Sequence, residues 1–120
     1  MKPYQDARLE GEKLAKQYAE LEKADQVDFY NGLEGYYSAL GHNKKQEAIA
    51  VLIEKNDHKI YVYQLDKGIS QDKAATISRE KGASDIDKVT FGRYQDKPIW
   101  EVKSGNQYYL VDFETGAVIQ

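Results

Sequence analysis

A chain of 120 residues with a formal net charge of −3 has room for one domain or two very small ones. Its 41% hydrophobic and 31% charged residues describe a soluble folded protein rather than a disordered one. The 17 basic and 20 acidic residues are interspersed and cysteine is absent, which argues against a nucleic-acid partner, disulfides and thiolate metal sites.

The first segment, Tyr4 to Lys23, has the spacing of an amphipathic helix, with Ala7, Leu14, Tyr18 and Leu21 on one stripe. Glu12, Lys16 and Glu20 stand four apart on the opposite face, where they can pair. Gly11 weakens the helix interior by up to about 1 kcal/mol relative to Ala. From Ala24 the period changes to two. A strand is expected around Val27-Asp28-Phe29, with a turn at Asn31-Gly32 and a second strand over Tyr36–Leu40. Gly41 to Lys45 closes that strand. Ala48–Glu54, almost wholly apolar, reads as a central strand, and Ile60–Tyr63 follows the turn residues Asn56-Asp57-His58.

The order then restarts. Gly68-Ile69-Ser70-Gln71-Asp72 is a helix start, with Ser70 able to cap and Asp72 in the first turn, where the helix dipole favours it. Ile69 and Ala74 are spaced as a hydrophobic staple. Gly82 after Lys81 is a natural stop. Strands are expected over Val89–Tyr94, Ile99–Lys103, Tyr108–Phe113 and Ala117–Ile119, with turns at Asp96-Lys97-Pro98, Ser104-Gly105-Asn106 and Glu114-Thr115-Gly116.

The two halves repeat each other in residue type. Val27 and Phe29 precede Val89 and Phe91 by 62 positions, while Leu14, Tyr36, Tyr37 and Asn43 precede Ile77, Ile99, Trp100 and Asn106 by 63. Such an offset points to a duplicated unit; a single continuous sheet with coincidental spacing is the alternative. Each helix has one apolar stripe and each strand set one apolar face, so laying a helix across a curved antiparallel sheet buries both. The expected fold is α+β, with two tandem cystatin-like units spanning 1–66 and 67–120.

Three stretches carry a family resemblance: Gly68-Ile69-Ser70-Gln71-Asp72-Lys73-Ala74-Ala75 at a helix start, Trp100-Glu101-Val102 in a central strand, and Val111-Asp112-Phe113-Glu114-Thr115-Gly116 in the last hairpin. The second half resembles a PepSY-type repeat, whose final strand ends in Asp-x-x-Thr-Gly. With its charged leading helix, the whole chain resembles the TseB-like (YpmB) proteins of Gram-positive bacteria. That resemblance implies tandem PepSY-like, cystatin-like domains outside the cell membrane, held by one N-terminal anchor. It also implies regulation of cell-wall elongation through contact with a penicillin-binding protein, and no catalytic residues. No apolar run here approaches the roughly 18–20 residues that span a bilayer, and Met1-Lys2-Pro3-Tyr4 lacks the pattern of a secretory leader. An anchor is therefore expected upstream of this sequence.

Other candidate sites read more simply as structure. His42 and His58 fall in predicted turns without a nucleophile or convergent ligands beside them. Asp25, Asp28, Asp85 and Asp87 are sparse for a calcium loop and suit solvated strand faces. Ser38, Ser70, Ser78, Ser84 and Ser104 lack a catalytic context. Asp112 and Thr115 are expected to shape a turn in which Gly116 supplies positive φ.

The aromatics are the candidate partner surface. Tyr36, Tyr37, Tyr61, Tyr63, Trp100, Tyr108 and Tyr109 cannot all be core. Adjacent pairs place one ring on each sheet face, so outward rings either pack the units together or meet a protein partner. A partner strand added to an open edge is a second route. The expectation is a non-catalytic protein-binding module without metal or cofactor. The alternatives are a PepSY-like protease inhibitor or propeptide-type chaperone and, from another class, an enzyme on the same scaffold, which would need a pocket of convergent titratable groups.

Overall fold

The computed structural model describes residues 12–17, 21–32 and 34–119. The chain divides into two compact units, Met1–Gln64 and Leu65–Gln120. Both are antiparallel, and the fold is α+β with few helices. The division falls two residues before the boundary expected from sequence, because the 3₁₀ turn Leu65–Lys67 goes with the second unit.

In the first unit, helical residues 12–17 (α1) precede β1 (Leu21–Asn31), β2 (Gly35–Asn43), β3 (Ala48–Glu54) and β4 (Ile60–Gln64), which pair in the order β1-β2-β3-β4. The register sets Tyr37 opposite Ile53 and Ala39 opposite Val51. These four residues join Ala15, Leu21, Val27 and Ile49 in one buried cluster, with Leu14 packed at its margin. Alternation puts the cluster's strand residues on the α1 face. β3 is central and fully apolar up to Glu54: Ile49 to Ile53 are all at most 2% exposed, so its two faces are both buried, as its unbroken hydrophobic run requires.

The expected helix does not continue to Lys23. Leu21-Glu22-Lys23 favours helix locally, yet Leu21 pairs with Asn43 and Lys23 with His42 across β1 and β2. Tertiary pairing outweighs weak propensity here. Two register shifts, between Leu21 and Lys23 and between Ala24 and Gln26, also break the period of two that would have signalled a strand. Glu12 and Lys16 pair at 2.9 Å as expected. Ala7, Gly11, Tyr18 and Glu20 lie outside the described residues.

In the second unit, α2 (Gln71–Glu80) is followed by β5 (Lys88–Tyr94), β6 (Lys97–Ser104) and β7 (Gln107–Asp112), paired in that order. Ser70 has extended backbone, and its Oγ accepts from the Lys73 N–H at 3.0 Å, so the expected cap is present. The helix ends at Lys81, followed by Gly82 at φ 116°. The core joins the rings of Phe91, Trp100 and Phe113, with centroids 4.9 to 6.4 Å apart in edge-on geometry. Two hydrogen bonds fasten the segment before α2 to this core: Trp100 Nε1–H donates to the Ile69 carbonyl at 3.0 Å, and Ile69 N–H donates to the Phe113 carbonyl at 2.8 Å.

The expected last strand, Ala117–Ile119, is reduced to one bridge between Val118 and Val111. Pro98 lies inside β6 rather than in the preceding turn, which is formed by Gln95 and Asp96, both at positive φ.

Candidate functional site

The β6–β7 hairpin carries the most exposed large hydrophobic side chain among the described residues, Tyr108. Register assigns its two faces. Trp100 lies opposite Phe91 and Val111, and Val102 opposite Val89 and Tyr109; this is the face beneath α2. Ile99, Glu101 and Lys103, with their partners Asp112, Leu110 and Tyr108, take the other face. Ile99 and Leu110 are buried there, whereas Tyr108 is 55% exposed and Ile119 is 39% exposed.

Most of the other candidate rings are not free surface. Trp100 is 1% exposed; it is the inward member of its pair and Ile99 the outward one, so the indole offers nothing to a partner. Tyr37 belongs to the α1-side cluster and touches Phe29, with ring centroids 4.9 Å apart. Tyr36 points to the opposite face but is also buried, between Tyr30 and Tyr61. Tyr61 and Tyr63 are half-buried. Tyr109 is half-buried and its hydroxyl donates to Gln107 Oε1 at 2.8 Å. Tyr108 alone among the seven is open.

Two glutamates have carboxyls held above their ordinary range. Glu101 sits mid-strand on the outer face of β6; burial raises it and the Lys88 ammonium pulls it back down. Glu54 ends β3 opposite Tyr36 and is raised first by burial, then by the charge of Glu34 and by a hydrogen bond and like charge from Asp57, with Lys59 opposing. The Tyr36 hydroxyl donates to Glu34 Oε2 at 3.1 Å beside it. Sequence reading missed both. The available signal was a carboxylate within or ending an otherwise apolar strand, as in Ile99-Trp100-Glu101-Val102.

The remaining polar candidates hold backbone or each other. Asp112 Oδ1 accepts from the N–H groups of Glu114 and Thr115 at 2.8 and 3.0 Å, Thr115 Oγ1 accepts from the Ala117 N–H at 3.2 Å, and Gly116 takes φ 82°. The Asp-x-x-Thr-Gly motif is thus a self-bonded turn that needs glycine at its last position. Asp87 Oδ2 accepts from Gly105 N–H at 2.9 Å, fixing the β6–β7 turn. Asp28 accepts from Gln26 at 2.6 Å. Asp25 meets His42 Nδ1 at 3.2 Å on the exposed flank of β1 and β2, and His58 occupies a turn at φ 57°. Among the described residues, no three histidine or carboxylate side chains converge as a metal site would require.

Comparison with known proteins places this architecture. Residues 10–54 match the model of the cell wall elongation regulator TseB-like domain. The chain is 37% identical over 114 residues to the probable cell wall elongation regulator TseB of Bacillus subtilis (strain 168), an alignment spanning 88% of this chain and 70% of that protein. The solved structure of the YpmB protein from Bacillus subtilis superposes with a TM-score of 0.79 and 31% identity, covering 100% of this chain and 97% of that one.

Proposed function

The chain belongs to the TseB-like family of cell wall elongation regulators, and from that membership we propose that it is a non-catalytic, extracytoplasmic protein-binding module that regulates cell-wall elongation by contacting a penicillin-binding protein. The observation that carries the reading is the 37% identity to TseB across 88% of this chain. The order of elements supports a tandem PepSY-like, cystatin-like architecture: in each unit a helix precedes an antiparallel meander.

A role in binding rather than chemistry is favoured by what the polar side chains do. Asp87, Asp112 and Thr115 hold turns, Ser70 caps a helix, and the half-buried Glu101 faces outward beside Leu110. No helix among the described residues is long and apolar enough to cross a membrane.

The test is chemical crosslinking in a Gram-positive host followed by purification of the tagged protein. A penicillin-binding protein is expected to co-purify. Its absence under conditions that retain known envelope complexes sinks the proposed partner.

A further inference from the structure

Where β1 turns into β2, an asparagine is followed by glycine, Asn31-Gly32. The other asparagines of the chain, Asn43, Asn56 and Asn106, are followed by Lys44, Asp57 and Gln107. Asparagine is thermolabile, because the main-chain nitrogen of the next residue can attack its carboxamide carbon. Glycine in that place leaves the nitrogen uncrowded, with no Cβ beside it. The carboxamide must also be free to turn. That of Asn43 is held: its Oδ1 accepts from the N–H groups of Lys45 and Glu47 at 2.9 and 3.0 Å, and its Nδ2 donates to Glu47 Oε1 at 2.9 Å. Asn31 and Gly32 are both exposed, and among the described residues no hydrogen bond holds the Asn31 carboxamide. Asn31 pairs with Gly35 as the last rung of β1 and β2. Bringing its carboxamide to the Gly32 nitrogen therefore opens one terminal rung, the kind of local opening that costs least.

The same turn rests on a buried ring. A Cβ at Gly32 would stand 2.5 Å from Tyr30 Cε2 and 2.8 Å from its Oη, so the Gly32 α-carbon lies against the Tyr30 ring. Tyr30 is 1% exposed and packs on Tyr36, with ring centroids 6.4 Å apart. A main chain lengthened just before Gly32 must lift off that ring or push it out of its packing.

We propose that Asn31 is a self-modification site, converted without an enzyme to aspartate and isoaspartate through a cyclic imide with Gly32. Base removes the Gly32 N–H proton, and the nitrogen forms a bond to Asn31 Cγ. The bond from Cγ to Nδ2 breaks, and Nδ2 leaves as ammonia, taking up a proton. Water then opens the five-membered ring. Attack at Cγ gives aspartate, whereas attack at the Asn31 main-chain carbonyl carbon gives isoaspartate, whose main chain runs through Cβ and Cγ. The sum is one water consumed and one ammonia released, with no change of oxidation state. Both products add a carboxylate to the turn that carries Glu34, and only isoaspartate lengthens the main chain against the Tyr30 ring. The site needs no partner and is independent of the regulatory reading.

The test ages the purified, folded protein in mildly alkaline buffer and follows each asparagine by peptide mass spectrometry with fragmentation that tells isoaspartate from aspartate. Asn31 should convert at least about tenfold faster than Asn43, Asn56 or Asn106. Its product should be a mixture in which isoaspartate exceeds aspartate, and conversion should slow in mildly acidic buffer. Asn31→Gln, which keeps a carboxamide but needs a larger ring, should remain unconverted over the same time. Conversion of Asn31 no faster than that of Asn56 and Asn106 overturns the proposal. So does a product that is aspartate alone, because direct hydrolysis then replaces the imide. Thermal melts of the separated forms read the consequence: the isoaspartyl form should melt below wild type, and Asn31→Asp, which adds the charge without the extra methylene, should melt closer to it. An isoaspartyl form that melts with wild type would remove the Tyr30 ring from the argument.

Discussion

In the first unit the face beneath α1 is mostly aliphatic: Ile49, Val51 and Ile53 of the central strand, with Val27, Ala39 and the one ring of Tyr37 in the same cluster, are packed by Ala15 and Leu14 of α1. In the second unit the equivalent position is taken by Phe91, Trp100 and Phe113, and directional bonds fasten the chain around them: indole to Ile69, Ile69 to Phe113, and Asp112 to its own turn. Aliphatic packing is non-directional and tolerates repacking when volume is conserved. A ring cluster with hydrogen-bonded neighbours specifies one arrangement. The comparison teaches that one order of elements, helix then meander, is stabilised by different physics in each half. The second half has the recognisable motif because its turn and helix start need particular residues.

The sharpest way to break this comparison is to truncate the centre of each core. Trp100→Ala is expected to cost about 3–5 kcal/mol and to leave the Ile69 carbonyl without its donor. Ile53→Ala should cost about 2–5 kcal/mol. Urea unfolding gives both values, and amide exchange should show each loss first in its own unit. If Trp100→Ala costs less than Ile53→Ala, the ring cluster is not what holds the second unit.

The Asp112 turn is the next test. Asp112→Ala removes the acceptor of two backbone N–H groups, and about 1–3 kcal/mol of stability should go with it. Asp112→Asn keeps a carbonyl oxygen at the same position and should recover part of that loss. Equal losses in the two variants would mean that the charge, rather than the turn bonding, matters.

These directional features were the most legible from sequence. Ser70 as a cap, Gly82 as a stop and Asp112-x-x-Thr115-Gly116 as a turn each depend on one residue's local chemistry, and the structure shows each bond or dihedral. β3 was legible to the residue because an apolar run flanked by turn residues has few other solutions. What could not be read was non-local. β1 begins inside a helix-favouring stretch because Asn43 and His42 pair with Leu21 and Lys23, and a bulged strand has no clean period. Parity told that one of Ile99 and Trp100 faces α2 but not which. That choice follows from the Ile69 carbonyl, which only the fold brings to the indole. The exposure of Tyr108 beside half-buried Tyr109 was undecidable for the same reason.

A smaller effect, of opposite sign, is expected at Ser78. It lies on the buried face of α2 at 0% exposure, and its hydroxyl has no partner among the described residues. An unpaired buried hydroxyl carries a desolvation cost, and Ala also favours helix over Ser. Ser78→Ala should raise stability by about 1 kcal/mol, seen as a higher urea midpoint with unchanged slope. A loss of stability instead would mean that the hydroxyl has a partner, such as a bound water.

The last contrast concerns the two raised glutamates and is confined to a pH window. Glu54 is opposed by Glu34 and Asp57, whereas Glu101 has the Lys88 ammonium in its favour. A carboxyl raised in the folded state binds its proton more tightly there than in the unfolded chain. Its contribution is therefore fully present below the ordinary value of 4.5 and is lost as pH rises through the folded value. Glu54→Gln should match wild type in acid and become the more stable protein toward neutrality. Thermal melts from about pH 4 to about pH 8 should show the gap opening. Added salt at neutral pH should narrow it, because the repulsion from Glu34 and Asp57 is screened. The corresponding gap for Glu101→Gln has no carboxylate repulsion to screen, and salt should not narrow it. A gap that responds equally to salt at both sites would remove the distinction between them.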